Sequence, residues 1–125
     1  MARLLVVADS MVETDAIVRI LKRDGDSVTH VTSVLDVRHT LESAGYDLAL
    51  IRRGSVTGDL AITLINLLQI PARKIAVYEQ GSGTDFGRHS LRWQAKGYAG
   101  YCQISPAFPD LISAQVAVLL YKRVA

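Results

Sequence analysis

Cysteine is nearly absent. The single thiol, Cys102, rules out an internal disulfide and suits a reducing compartment. No apolar run reaches the roughly 18 residues needed to span a bilayer. The stretch from Met1 to Val7 is too short for a signal-peptide core and meets Asp9 at once. These absences suit a cytoplasmic protein without a membrane segment. A surplus of either charge is missing too: 14 basic residues stand against 12 acidic ones, net +2. The basic residues are scattered, with only short pairs such as Lys22-Arg23 and Arg52-Arg53 and no basic stripe interleaved with aromatics. Nucleic acid is therefore not an expected partner. His30, His39 and His89 lack metal-ligand spacing, so no metal or other cofactor is expected. No nucleophile elbow or comparable signature occurs, and the chain does not read as an enzyme.

What remains is apolar and regular. Half of the 125 residues are hydrophobic, enough for one domain with its own core and no room for a second module. Short apolar runs alternate with helical periods. Leu4 to Val7 reads as a strand covered on both faces. Ser10 and Glu13 have capping-box spacing ahead of a helix carrying Val12, Ala16, Ile17, Ile20 and Leu21, and Asp24-Gly25 stops it. Val28 to Thr32 is a second strand. Ser33 and Asp36 then suit a cap for a helix with Leu35, Leu41 and Ala44, ended by Gly45. Leu48 to Ile51 is a third strand, and Asp59 suits a cap for a helix from Leu60 to Gln69, closed by Pro71. Ile75 to Val77 and Tyr98 to Ile104 are further strands. Helices are expected around Phe86 to Lys96 and from Leu111 to Tyr121. Five βα units with short loops imply a parallel sheet with helices on both faces. Ligands of such sheets bind at the carboxyl ends of the strands.

Several segments, taken in order, resemble the receiver domain of two-component response regulators. "RLLVVADS" at Arg3 to Ser10 resembles that family's first strand and its acidic end. "GYDLALI" at Gly45 to Ile51 resembles the strand leading to the phosphoacceptor, and Asp59 falls where the family often carries the Asp of an Asp-Gly step. "KGYAGY" at Lys96 to Tyr101 resembles the approach to the fifth strand's lysine, and "FPDLISAQVAVLL" at Phe108 to Leu120 the last helix. The resemblance covers essentially the whole chain. It implies a CheY-like, flavodoxin-like, doubly wound α/β fold: five parallel strands in the order 2-1-3-4-5, with five helices.

The chemistry departs from the family. Of the two acids that hold Mg²⁺ after the first strand, the matching positions read Ala8 and Asp9. The phosphoacceptor position falls on Arg52, which cannot accept a phosphoryl group and repels a cation. The hydroxyl position falls near Tyr78 or Glu79. The lysine position falls on Ile104, or on Ser105, and no lysine occurs between Gly97 and Tyr121. The switch aromatic is matched by Tyr101. Phosphoryl transfer depends on positioning and charge neutralisation, so the resemblance is to a degenerate receiver.

Three constellations carry functional expectations. Arg52 is expected to pair with Asp9 and stand in for Mg²⁺, against the plainer reading of a solvated strand-end charge. The glycine-rich stretch with Gly81 and Gly83, flanked by Arg53 and Arg88, could aim N–H groups at a phosphate or nucleotide, against a plain loop. Leu111 to Leu120 holds no charge, so Leu111, Ile112, Val116, Leu119 and Leu120 are expected to form a contact surface, against a broad intramolecular contact. The uncharged Leu60 to Leu68 stretch is the second such surface. Cys102, inside a strand, reads as a small buried hydrophobe, and Trp93 as an anchor for the fourth helix. The expected function is a stand-alone signalling module working by protein contact. Its partner would be a second copy in a homodimer, a sensor kinase or another regulator. The alternative is a small-anion or nucleotide sensor.

Overall fold

The structure, a computed structural model, describes residues 1–43, 45–81 and 85–124, with only the backbone of 122–124. The strands are β1 (Arg3–Val7), β2 (Ser27–Val31), β3 (Leu48–Arg52), β4 (Ile75–Gln80) and β5 (Gly100–Ile104). The helices are α1 (Val12–Arg23), α2 (Val34–Glu42), α3 (Val56–Leu68), α4 (Phe86–Ala95) and α5 (Leu111–Val124). All neighbouring strands are parallel, in the order β2-β1-β3-β4-β5, as the sequence implied.

The continuous apolar runs of β1 and β3 follow from burial on two sides. Leu5, Val7, Ala49 and Ile51 face α2, α3 and α4, with Val37, Ala61 and Trp93 among their neighbours in that cluster. Leu4, Val6, Leu48 and Leu50 face α1 and α5. Successive strand residues point to opposite faces, so each run feeds two cores at once.

The helix boundaries differ from the expected ones where another residue takes the cap position. Gly25 takes φ +92° just past the C-cap of α1, as expected of a residue without a Cβ. At the other end of α1 the Ser10–Glu13 box does not form. Met11 is the N-cap, with no side-chain cap bond. α3 begins four residues before Leu60, because Ser55 and not Asp59 is its N-cap; the Ser55 hydroxyl accepts from Gly58 N–H at 2.9 Å. Asp59 instead accepts from Gly54 N–H at 2.8 Å. Ser33 caps α2 as expected, although Leu35 is exposed. Ala44 lies outside the described residues.

The last helix is oriented differently from the expected contact surface. Ile112, Val116 and Leu119 are buried against β5, and Leu111 and Leu120 are half-buried. The polar Gln115 turns inward with them. Its side chain accepts from Gln103 N–H at 2.7 Å and donates to Gln103 C=O at 2.9 Å, so it closes the open edge of β5 as a strand would. The side chains selected for contact are therefore mostly core. The outward face of α5 is Ala114, Ala117, Val118 and Tyr121.

Candidate functional site

The carboxyl ends of β1, β3 and β4 bring together Asp9, Glu13, Arg52 and Tyr78. Pairing of Arg52 with Tyr78 in the β3–β4 ladder fixes their relation. The Arg52 guanidinium lies 6.0 Å from the centre of the Tyr78 ring. Its Nε donates to Glu13 Oε1 at 2.5 Å and a second nitrogen to Glu13 Oε2 at 3.4 Å. Arg52 also donates to the Arg53 carbonyl. The expected Arg52–Asp9 pair is thus replaced by Arg52–Glu13. Glu13 sits in the first turn of α1, above the strand ends, and reaches Arg52 instead of folding back to cap its own helix.

Asp9 is engaged elsewhere. Its carboxylate accepts from Val56 N–H at 2.9 Å, Thr57 N–H at 3.1 Å and the Thr57 hydroxyl at 2.6 Å. The hydroxyl bond, then the two amide bonds, hold the carboxyl below its ordinary range. Asp9, two residues past β1, is an anchor for the amino end of α3, where unpaired N–H groups and the helix dipole favour an anion. Gly58 permits this tight entry: a Cβ there would stand 1.8 Å from the Arg52 carbonyl oxygen.

A divalent cation does not fit this arrangement. Asp9 is spent on α3, Glu13 on Arg52, and Ala8 is apolar and buried. The guanidinium itself adds positive charge at the end of β3. Among the described residues no cluster of three His, Cys, Asp or Glu could hold a metal.

The α4 side of β4 and β5 carries a second network. The Tyr101 hydroxyl donates to Glu79 Oε1 at 2.7 Å and accepts from Gln103 Nε2 at 3.2 Å. Arg53 lies 3.7 Å from the same Glu79 oxygen. The Tyr101 ring is fully buried, with His89 5.1 Å and Phe86 6.4 Å away between ring centres. Burial first, and the bond to Glu79 second, push the Tyr101 phenol up to about 12. Burial pushes Tyr78 up to about 12 as well. Of the two candidates for the hydroxyl position, Tyr78 lies in the α1/α5 core and Glu79 faces Tyr101.

The fold is that of response regulator receiver domains. Two solved structures illustrate the likeness. The signal receiver domain of a putative LuxO repressor protein from Vibrio parahaemolyticus is 19% identical. The match covers 97% of this chain and 91% of that one, with a TM-score of 0.67. Response regulator TrrA from Thermotoga maritima, in complex with Mg²⁺ and beryllofluoride, is 19% identical over 95% of this chain and 99% of that one, with a TM-score of 0.66. No protein-family model matches the chain, and no curated protein does.

The remaining sequence candidates disperse. Ile104 belongs to the α1/α5 core, and Ser105 opens a turn in which its carbonyl accepts from Phe108 N–H at 3.1 Å. In the proposed anion loop, Gly81 N–H donates to Ile104 C=O at 3.0 Å and so prolongs the β4–β5 ladder. Gly83 lies outside the described residues. Arg88 pairs with Asp85 at 2.6 Å and Arg53 with Glu79, so neither cation is held toward a common anion. Cys102 is buried, and burial pushes its thiol up to about 12. His30 Nε2 meets the Ala8 carbonyl at 3.2 Å. Trp93 is buried under α4, edge-on to Tyr98 at 5.0 Å. Among the described residues no helix is long and apolar enough to cross a membrane.

Sequence reasoning missed Thr57 and Gln115 and gave Glu13 the wrong task. The available signal for Glu13 was its place one turn into a helix that starts over the strand ends, facing an arginine at an acidic position. Gln115 offered a weaker signal, as the lone long polar residue between Leu111 and Leu120.

Proposed function

We propose that the chain is a degenerate receiver domain of a two-component-type signalling system, acting through protein contacts without accepting a phosphoryl group. The observation that carries this reading is the Arg52–Glu13 ion pair where the resemblance places the phosphoacceptor. A guanidinium offers no nucleophilic carboxylate, and the two nearby acids are already satisfied by other donors. The chain performs no chemistry of its own in this reading. In this reading Tyr101, whose hydroxyl is held by Glu79 and Gln103, is a switch aromatic that needs no input signal. The partners are a second copy, a sensor kinase or another regulator.

Acetyl phosphate, or beryllofluoride with Mg²⁺, tests the proposal. The expected result is no added mass and no change in melting temperature. A phosphoryl adduct, or a clear thermal shift that needs both Mg²⁺ and beryllofluoride, overturns it.

A further inference from the structure

Among the described residues, the helix with the most exposed large hydrophobic side chains is not the last one but α3. Its outward residues Val56, Leu60 and Leu67 are 67%, 41% and 73% exposed. With the exposed Thr63 they recur at intervals of four, three and four residues, the spacing of a knobs-into-holes seam. From Val56 to Leu68 the only charged residue is Asp59, whose carboxylate already accepts from Gly54 N–H. Thr63 leaves no unpaired hydroxyl, because its Oγ1 donates to the Asp59 carbonyl at 3.0 Å. The seam can therefore be buried without stranding a polar group.

We infer that α3 is the dimerisation helix, packing antiparallel against α3 of a second copy about a two-fold axis. The seam is its own complement in that arrangement. Val56 meets Leu67 of the other copy, and Leu60 meets Thr63, at both ends alike. An isologous contact requires this kind of self-matching. A strongly charged partner finds no counter-charge on this stripe, whereas an identical stripe finds an apolar match. On α4, by contrast, the exposed Leu91 stands between Arg88 and Arg92. One helix pair about 18 Å long is smaller than a standard stable interface, so the dimer is weak and concentration-dependent. The inference rests on the reading that the domain acts through its surface, and it names the partner and the helix.

Cysteine cross-linking reads the geometry directly. Chains carrying Val56→Cys and chains carrying Leu67→Cys are oxidised separately and as an equal mixture. Only the mixture is expected to give a disulfide-linked dimer. Within one variant the two thiol positions lie about 16 Å apart along the paired helices, beyond the roughly 7 Å Cα limit of a disulfide. The native Cys102 is buried and does not compete. Sedimentation of Leu67→Glu, folded by circular dichroism, is expected to show a monomer at concentrations where the unmodified chain dimerises and Leu91→Glu still does. No cross-link in the mixture, or a dimer that survives Leu67→Glu, overturns the α3 assignment. A dimer dissolved only by Val118→Glu on α5 overturns it too, but leaves the surface-acting reading intact. That reading fails separately, through a response to beryllofluoride.

Discussion

Replacing Arg52 by Gln tests whether the ion pair holds the strand ends together. Exposed pairs contribute about 0–1 kcal/mol, while removing one partner of a buried pair costs about 3–5 kcal/mol. The side chains of Arg52 and Glu13 are 14% and 23% exposed, which places the pair between those limits. The expected loss for Arg52→Gln is about 2 kcal/mol, equivalent to a fall of about 6–10 °C in melting temperature for a chain of this size. Glu13→Gln is expected to cost less. Arg52 would keep the Tyr78 ring and the Arg53 carbonyl, whereas Glu13 without Arg52 keeps an uncompensated charge. The double variant isolates the pair, with an expected coupling of about 1–1.5 kcal/mol. Urea unfolding followed by fluorescence suits the measurement, because Trp93 is the only tryptophan and is buried in the core. Additive losses, with coupling below about 0.3 kcal/mol, would refute the claim that the guanidinium and Glu13 act as a unit. Equal losses for the two single variants would refute the asymmetry.

Two further perturbations address the entry into α3. Gly58→Ala places a methyl group 1.8 Å from the Arg52 carbonyl oxygen and 2.7 Å from the Ser55 hydroxyl, so the turn must open. A loss of about 3 kcal/mol or more in the same urea assay is expected, and a loss under about 1 kcal/mol contradicts the close approach. Asp9→Asn tests the lowered carboxyl. The folded form binds its proton below the ordinary value of 3.8, so the stabilisation is present above that pH and is lost as pH falls through the folded value. The unmodified chain is expected to lose stability more steeply than Asp9→Asn below about pH 4, and parallel acid-unfolding profiles would count against the assignment.

Much of the fold was legible because its signals are local and repeated. The apolar runs Leu4–Val7 and Leu48–Ile51 mark strands buried on both faces, and Gly25 ends α1 where a left-handed residue is required. The errors lie at positions where two local signals compete. Ser55 and Asp59 both suit a helix cap. The earlier one prevails because Asp9, distant in sequence, supplies a second anchor to the same helix end. Leu111 to Leu120 reads as apolar all round, yet composition does not say which side faces the sheet. Gln115 decides that through its two bonds to the backbone of β5, and so removes Ile112, Val116 and Leu119 from the surface.

The same competition explains why the strand-end site was only half legible. Arg52, where the resemblance implies an acid, calls for a carboxylate to neutralise it; the sequence pointed to Asp9, and the structure supplies Glu13. Asp9 is drawn away by three donors at the start of α3, two of them backbone amides that would otherwise lack partners. A short aspartate suits that task, since it sits two residues beyond the end of β1. Glu13 has one more methylene and a place on α1, so it spans to Arg52. Each carboxylate therefore takes the partner its length and position allow. The outcome is a strand edge with its acids engaged and an internal cation, which is why the proposed function rests on the surface around it. The exposed seam of α3 begins at Val56, whose own N–H is held by Asp9, so that aspartate sets the position of the helix proposed to bind the second copy.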